Sequence, residues 1–424
     1  MNILNTFNVS KYEANLKNGI KIVLFYRAGA PITTNAVISI GSNYDPNEKF
    51  GMVHFLEHMI VNGSKDFPNK SLLAEHIESV GGGFGALTGQ DYLMITTEVS
   101  EKEDYFRVVD IFKATLCEPL FDKDVFENEK KIVIKEINKS KSNPSKMLID
   151  TARGLFFDGT SFSHPVLGNE KDILALNYDD VVEEYKNIFN KSKITFVASG
   201  DISIDELTQN LNKLDFIENE KNIIVSDEIP FSNNKIKSTF FDVPNEHICF
   251  GVLGPKSFTS DSIRLNLLGD ILAGGRNSRL TKKLRYEKGL VYGIGHGRLG
   301  GQDLSLWGLF TDTGENNLQD VVSEIIAEIK NIQSNGVTNE ELEFVKSRRI
   351  KSLKRSMQTS SSWVDFHCVA EAFNKKDFDM DFYINTIQDT TREDIKNIID
   401  KYLGGDKWKL AICGKTKAED IKIS

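Results

Sequence analysis

Disulfides, membrane spans and excess positive charge are all missing from this chain of 424 residues. Its four cysteines, Cys117, Cys249, Cys368 and Cys413, stand singly with no Cys-x-x-Cys pair. That spacing indicates neither a disulfide framework nor a thiolate zinc cage, and buried free thiols are the expectation. No apolar run approaches the ~20 residues of a membrane-spanning helix. Lys and Arg total 52 against 61 Asp and Glu, a net charge of -9, which argues against a nucleic-acid partner. The same charge suits peptide substrates that carry basic residues. The opening Met1-Asn-Ile-Leu-Asn-Thr-Phe-Asn-Val-Ser10 has no basic n-region with an apolar core and no Arg-rich amphipathic pattern, so a cytoplasmic location is expected. Gly274-Gly275 lacks both the Gly-Lys-Ser/Thr ending and the preceding strand of a phosphate loop, which sets nucleotide binding aside.

What is present is an ordinary globular composition, 40% hydrophobic and 27% charged, with length for two domains of about 200 residues. Lys11 to Leu16 and Ile20 to Tyr26 read as strands joined by the favoured hairpin turn Asn18-Gly19, with Thr33 to Ile40 as a third. A helix ending near Asn62-Gly63 follows, then a helix over Lys70 to Val80, stopped by Gly81-Gly-Gly83, and a hairpin over Phe84 to Val99. From Lys102 the pattern is helical, and the succession is α+β. Ile217 to Asn234, polar and with little periodicity, reads as a linker. Beyond it, Lys237 to Phe241, His247 to Leu253 and Leu304 to Phe310 read as strands and Ser262 to Ala273 as a helix, an order that echoes the first half.

The most informative stretch is Gly51-Met-Val-His-Phe-Leu-Glu-His-Met-Ile60. At about 100° per residue, His54 and His58 lie about 40° apart and Glu57 about 60° from His54, so the three share one arc. Met52, Val53, Phe55, Leu56, Met59 and Ile60 cover the rest, describing a helix buried nearly all round. Three buried polar groups without partners would cost several kcal/mol. Two imidazoles at i and i+4 can reach one Zn²⁺, and the carboxylate before the second is placed to act on a bound water, the inverted His-x-x-Glu-His order. A core helix whose histidines bond to carbonyls or carboxylates fits the same five letters.

A second set lies on the helix from about Asp124 to Asn138. Glu129 and Glu136, seven residues apart, return to within about 20° of each other, with Ile132 and Val133 on the same face. Such a face normally points inward, where an unpaired carboxylate is costly. Either glutamate could complete a His₂Glu site with a fourth position open to water. Two surface glutamates on an amphipathic helix are the alternative. The remaining histidines, His76, His164, His247, His296 and His367, have no metal-spaced partner.

His54-Phe-Leu-Glu-His58, followed after 77 residues by Glu136, resembles the pitrilysin, insulin-degrading enzyme and mitochondrial processing peptidase family of zinc peptidases. The similarity extends through His54 to Pro68, Ser163-His-Pro-Val-Leu-Gly-Asn-Glu170, Val197-Ala-Ser-Gly-Asp201, Gly274-Gly-Arg-Asn-Ser-Arg-Leu280 and Arg285-Tyr-Glu-Lys-Gly-Leu-Val-Tyr292. It implies one Zn²⁺ per chain on His54, His58 and Glu136, with Glu57 as general base on the metal's water and Glu129 supporting the site. It further implies two tandem α/β rolls of mainly antiparallel sheet packed with helices: a zinc-binding roll at 1–217, the linker at 218–234, and a degenerate copy at 235–424 in which Ile263-Arg-Leu-Asn-Leu-Leu-Gly-Asp-Ile-Leu272 replaces the ligand helix. The family's Asn-Ala-x-Thr appears here as Gly85-Ala-Leu-Thr88, so the Asn that helps hold substrate is absent, while Gly85 and Ala86 can still bind peptide through the backbone.

The function expected from this resemblance is a zinc endopeptidase acting on peptides or unfolded segments in a closed chamber. A non-catalytic core subunit, or the catalytic half of a heterodimer, is the alternative. Arg285 and Tyr292 match a family pair that stabilises the carbonyl oxygen, though Arg285 could instead pair with Glu287 and Tyr292 pack in a strand. Because the large one-chain relatives use four rolls and this chain supplies two, the resemblance implies a homodimer in which Arg285 and Tyr292 of one subunit complete the zinc site of the other.

Overall fold

The computed structural model describes residues 7–187, 192–215, 234–405 and 407–423. They form two compact units, each a twisted sheet packed with helices. The first combines Met1–Ile137, Val166–Ser226 and Leu353–Asp381, and the second Asn138–Pro165, Asp227–Ser352 and Phe382–Ser424. This division is not one of contiguous halves at 1–217 and 235–424, since each half of the chain lends a segment to the other unit. The linker read at 218–234 lies outside the described residues, Asn234 excepted.

In the first unit the strands are β1 (Ser10–Asn15), β2 (Lys21–Tyr26), β3 (Ile32–Ile38), β4 (Gly83–Thr88), β5 (Leu93–Val99) and β6 (Ile194–Gly200), in the spatial order β1-β2-β6-β3-β5-β4. All pairs are antiparallel except β2–β6. The β1–β2 hairpin turns at Asn18-Gly19, with Gly19 at φ 84° and its amide bonded to Leu16 O at 2.9 Å. One face of the sheet packs with α1 (Met52–Ile60), α2 (Lys70–Glu78), α3 (Tyr105–Phe112) and α4 (Lys123–Lys141) around a core that includes Ile38, Phe55, Leu56, Ile95 and Phe112. The opposite face carries the helix Ser360–Ala372, contributed by the C-terminal segment and seated on β3 and β6.

The second unit has β7 (Ile236–Phe240), β8 (Asn245–Leu253), β9 (Val291–Gly300), β10 (Ser305–Gly314) and β11 (Lys409–Gly414), ordered β7-β11-β8-β10-β9. Here β7–β11 is the parallel pair. Strand for strand this sheet repeats the first without β1, and α5 (Ser260–Ala273), α6 (Leu318–Asn335) and α7 (Asn339–Ser356) follow in the order of α1, α3 and α4. The lent helix Pro144–Phe156 buries Leu148, Ala152, Leu155 and Phe156 with Cys249, Leu306, Ala411 and Cys413 of this sheet. β9 escapes sequence reading because glycines at 293, 295, 297 and 300 erase its alternation. All four cysteines are free. Among the described residues no helix is long and apolar enough to cross a membrane.

His367 fixes the lent helix Ser360–Ala372 to β2. Its ring stacks on Phe25 at 4.1 Å and its Nδ1 donates to Trp363 O at 2.8 Å. Burial drives its pKa down to about 4. The folded value lies below the ordinary one of about 6.5, so the neutral ring stabilises the fold fully above pH ~6.5, and roughly 3 kcal/mol is lost as pH falls towards ~4. Urea melts across that range should show a shallower pH dependence for His367→Phe than for the native chain.

Candidate metal centre

α1 begins at Gly51, whose φ of 95° is a left-handed conformation that favours glycine. The Asp45 carboxylate accepts from Gly51 N at 2.7 Å and Val53 N at 2.8 Å, satisfying the first free amides of the helix. The segment Ser163–Glu170, singled out by resemblance, braces the same point. Gly168 lies so close to Phe50 that a Cβ would overlap its carbonyl, and just beyond the segment Asp172 Oδ2 accepts from Phe50 N at 3.2 Å. The apolar residues of α1 are fully buried, and its polar arc looks towards α4 and β4.

On that arc the structure brings together His54, His58 and Glu136. Glu136 Oε2 lies 3.9 Å from His54 Nε2 and 3.5 Å from His58 Nε2. One candidate ligand atom from each residue lies within 4.8 Å of the others. Bonds of about 2.0–2.1 Å in tetrahedral array place ligand atoms roughly 3.4 Å apart, so this set fits zinc with little movement. Burial, reinforced by His58, drives His54 down to about 3, which keeps its lone pair available. For His58, burial works against protonation but is outweighed by the hydrogen bond it donates to Glu129 and by the nearby carboxylates, which raise its pKa. Glu129 Oε2 holds His58 Nδ1 at 2.8 Å, turning Nε2 towards Glu136. Burial opposes the charge of Glu129, but His58 and Asn62 hold its carboxyl below the usual range. Ile132, expected on an inward face, is 42% exposed, because the Glu129–Glu136 stripe runs along the rim of the core where Val133 alone is fully covered.

Glu57 points to β4. Thr88 Oγ1 donates to Glu57 Oε2 at 2.5 Å, leaving Oε1 as the other oxygen. Burial raises the Glu57 pKa, with the Thr88 bond pulling the other way. Neither Thr88 nor Asp45 was assigned a role from sequence, although Thr88 ends the Gly-Ala-Leu-Thr run. Gly85 and Ala86 lie on β4, the edge strand of the sheet.

Arg285 and Tyr292 belong to the second unit, where they meet each other. The guanidinium sits 4.7 Å from the Tyr292 ring centre, and Tyr292 is 81% exposed on β9. Among the described residues Arg285 makes no ion pair, with Glu287 or any other acid. In this unit the elements matching α1, β4 and α4 carry a different cluster. Buried Asp270 on α5 receives Arg348 Nη2 at 2.9 Å and Arg349 Nε at 2.7 Å from α7, and His296 Nε2 lies 3.2 Å away on β9. Burial opposes the Asp270 charge, but His296 and Arg349 hold its carboxyl below the usual range.

An inverted His-x-x-Glu-His helix faced by a glutamate from a second helix matches the residue order and ligand types of an inverted zincin, here on a two-sheet α+β scaffold. Residues 28–170 match the family model described as Insulinase (Peptidase family M16), and residues 175–349 the model described as Peptidase M16 inactive domain. The chain is 23% identical to an uncharacterized zinc protease, YmxG, of Bacillus subtilis, over 90% of this chain and 93% of that one. It is 22% identical to cytochrome b-c1 complex subunit 1 of Caenorhabditis elegans, over 83% and 77% of the two chains. A protease crystal structure from Helicobacter pylori superposes with a TM-score of 0.85 at 18% identity, covering 96% of this chain and 99% of that one. The chain belongs to the M16 peptidase family.

If Glu136 is a ligand and Glu129 acts through His58, chelator competition should show Glu136→Gln losing zinc more severely than Glu129→Gln. The latter should weaken affinity only ~10–100-fold. The reverse order would exchange their roles.

Proposed function

We propose that the protein is a zinc-dependent endopeptidase acting on peptides or unfolded polypeptide segments. The observation that carries this reading is the convergence of His54, His58 and Glu136 beside a half-buried Glu57 that Thr88 holds at the edge strand β4. Relatives named as zinc proteases support the metal. A zinc ion bound by the three ligands would supply Lewis acidity at the scissile carbonyl and at water.

The chain's own residues perform the rest. An extended substrate pairs with the outward backbone groups of β4 at Gly85 and Ala86, a mode that needs no Asn side chain at position 85. Thr88 occupies Oε2 of Glu57, so Oε1 takes the proton of the attacking water and later delivers it to the leaving amine. Burial, by raising the Glu57 pKa, suits it to hold that proton between the two steps.

The core-subunit reading has its own support in the likeness to the cytochrome b-c1 subunit. This chain, unlike a chain with a degraded motif, keeps all three ligand types and the base. Metal analysis together with hydrolysis of a quenched fluorescent peptide separates the two readings. One zinc per chain and activity abolished by a chelator support the peptidase, whereas a zinc-free, inert protein supports the core subunit. Glu57→Gln should retain zinc while hydrolysis falls by orders of magnitude. Thr88→Val should lower kcat with zinc content and KM retained, and Thr88→Ser should restore it.

The active assembly we propose is a homodimer enclosing a chamber, in which Arg285 and Tyr292 of one subunit stabilise the carbonyl oxygen at the zinc site of the other. An Arg285 that makes no ion pair among the described residues and an exposed Tyr292 support this use. Mixing Glu57→Gln with Arg285→Ala/Tyr292→Phe chains, each nearly inactive alone, should regain activity through heterodimers. Exchanged subunits that form heterodimers by native mass spectrometry yet stay inactive would rule sharing out.

A further inference from the structure

The chain leaves α1 at Asn62-Gly63, and Asn62 does more there than stop a helix. In a continuing α-helix the amide of residue 62 would bond to His58 O. Here Asn62 N bonds instead to Met59 O at 3.3 Å, a tightened last turn that takes the backbone donor away from His58 O. The Asn62 side chain replaces it, with Nδ2 donating to His58 O at 2.8 Å. The carboxamide is thereby fixed one turn beyond a candidate metal ligand.

Nδ2 carries a second hydrogen. Its partner is the Glu129 carboxylate on α4, for which His58 and Asn62 are the hydrogen-bond donors among the described residues. Glu129 is only 8% exposed, so one bond from His58 Nδ1 would leave a nearly buried charge poorly satisfied. Among the described residues its ion pair is with His58, and none is formed with Lys or Arg. This choice of donor has a chemical consequence. A cation on Glu129 would absorb the negative charge that makes an imidazole a stronger metal ligand, whereas a neutral amide fixes the carboxylate and leaves its charge to act on His58.

Asn62 is in turn held from the side of α4. Gly63 O accepts from Leu120 N at 2.8 Å, and Ser64 forms an antiparallel bridge with Pro119. The residues that follow Asn62 are therefore tied to those that lead into α4 at Lys123. This junction lies within about two helical turns of both His58 and Glu129.

We infer that Asn62 is a positioning residue of the candidate metal centre: anchored on His58 O, its carboxamide holds Glu129 in the orientation that receives His58 Nδ1–H and turns Nε2 towards Glu136. Asn62 touches neither metal nor substrate and acts through Glu129. The inference rests on the metal reading of the centre and not on hydrolysis.

The test measures zinc affinity of the full chain by chelator competition and the stability of the metal-free chain by urea melts. Asn62→Leu removes both bonds at nearly unchanged volume and should weaken zinc binding about tenfold, the lower end of what an outer partner of a metal ligand contributes. Asn62→Ser separates the two bonds, because a serine hydroxyl can bond to the carbonyl four residues back but is too short to reach Glu129 as well. It should keep the native urea midpoint and still lose zinc affinity to a similar extent. In a Glu129→Ala background either substitution should change the affinity by no more than about twofold, since the group that Asn62 holds is gone. Native affinity in Asn62→Ser, or an equal loss with Glu129 present and absent, would overturn the role and reduce Asn62 to a helix stop. If the native chain binds zinc but cuts no peptide, the peptidase reading falls while the affinity cycle still decides the role of Asn62. A native chain that binds no zinc would overturn both.

Discussion

A polar group drawn away from water must find a partner, and the first unit is arranged around three such groups, His54 buried and Glu57 and His58 half-buried, on a single apolar helix. His58 finds Glu129, Glu57 finds Thr88, and the Nε2 atoms of His54 and His58 face Glu136. The partners come from two other places in the chain: α4 supplies both glutamates and β4 the threonine. The start of the helix is held by Asp45 and by the close approach of Gly168 to Phe50. Remove the polar arc and α1 is an ordinary core helix; keep it, and the sheet edge, α4 and the loop before α1 must all be where they are. That is how a local stripe of three residues constrains the tertiary structure.

The second unit shows what the same scaffold does when the stripe is absent. Its α5, β9 and α7 occupy the places of α1, β4 and α4 in an equivalent sheet, but they bring a carboxylate together with two guanidinium groups and an imidazole. The positive charge that a dication would supply is fixed permanently in Arg348 and Arg349, which cannot give up their protons. Asp270 stays ionised in a buried setting because the charge beside it is covalently part of the protein. This accounts physically for a duplicated fold with the candidate metal centre in one copy only. The match of residues 175–349 to the model described as an inactive domain agrees with it.

Glycine has two distinct uses around the centre. At Gly51 and Gly168 it permits close backbone packing and left-handed conformations that hold α1 in position. At Gly83 and Gly85 the backbone is extended, and the value of glycine is the missing side chain, which opens the sheet's second face to the edge.

Periodicity and spacing alone determined the α1 arc of His54, Glu57 and His58, the shared face of Glu129 and Glu136, the β1–β2 turn at Asn18-Gly19 and the echo between the two halves, because each is a property of one local segment. Which glutamate oxygen faces both imidazoles was settled only when α4 was laid beside α1, since both carboxylates lie on the same helical stripe. The Thr88 bond to Glu57 and the Asp45 cap depend on loops whose course no period encodes. The lent helices Pro144–Phe156 and Ser360–Ala372 show the limit most plainly: their sequences mark an apolar face, but nothing in a 3.6-residue repeat says which of two sheets that face will meet. β9 was hidden because its glycines carry no side chains to alternate. The rows Gly85–Thr96–Asn35 and Gly83–Glu98–Thr33 exist only in the register of β4, β5 and β3, a relation among three strands that the order of residues along one strand does not contain.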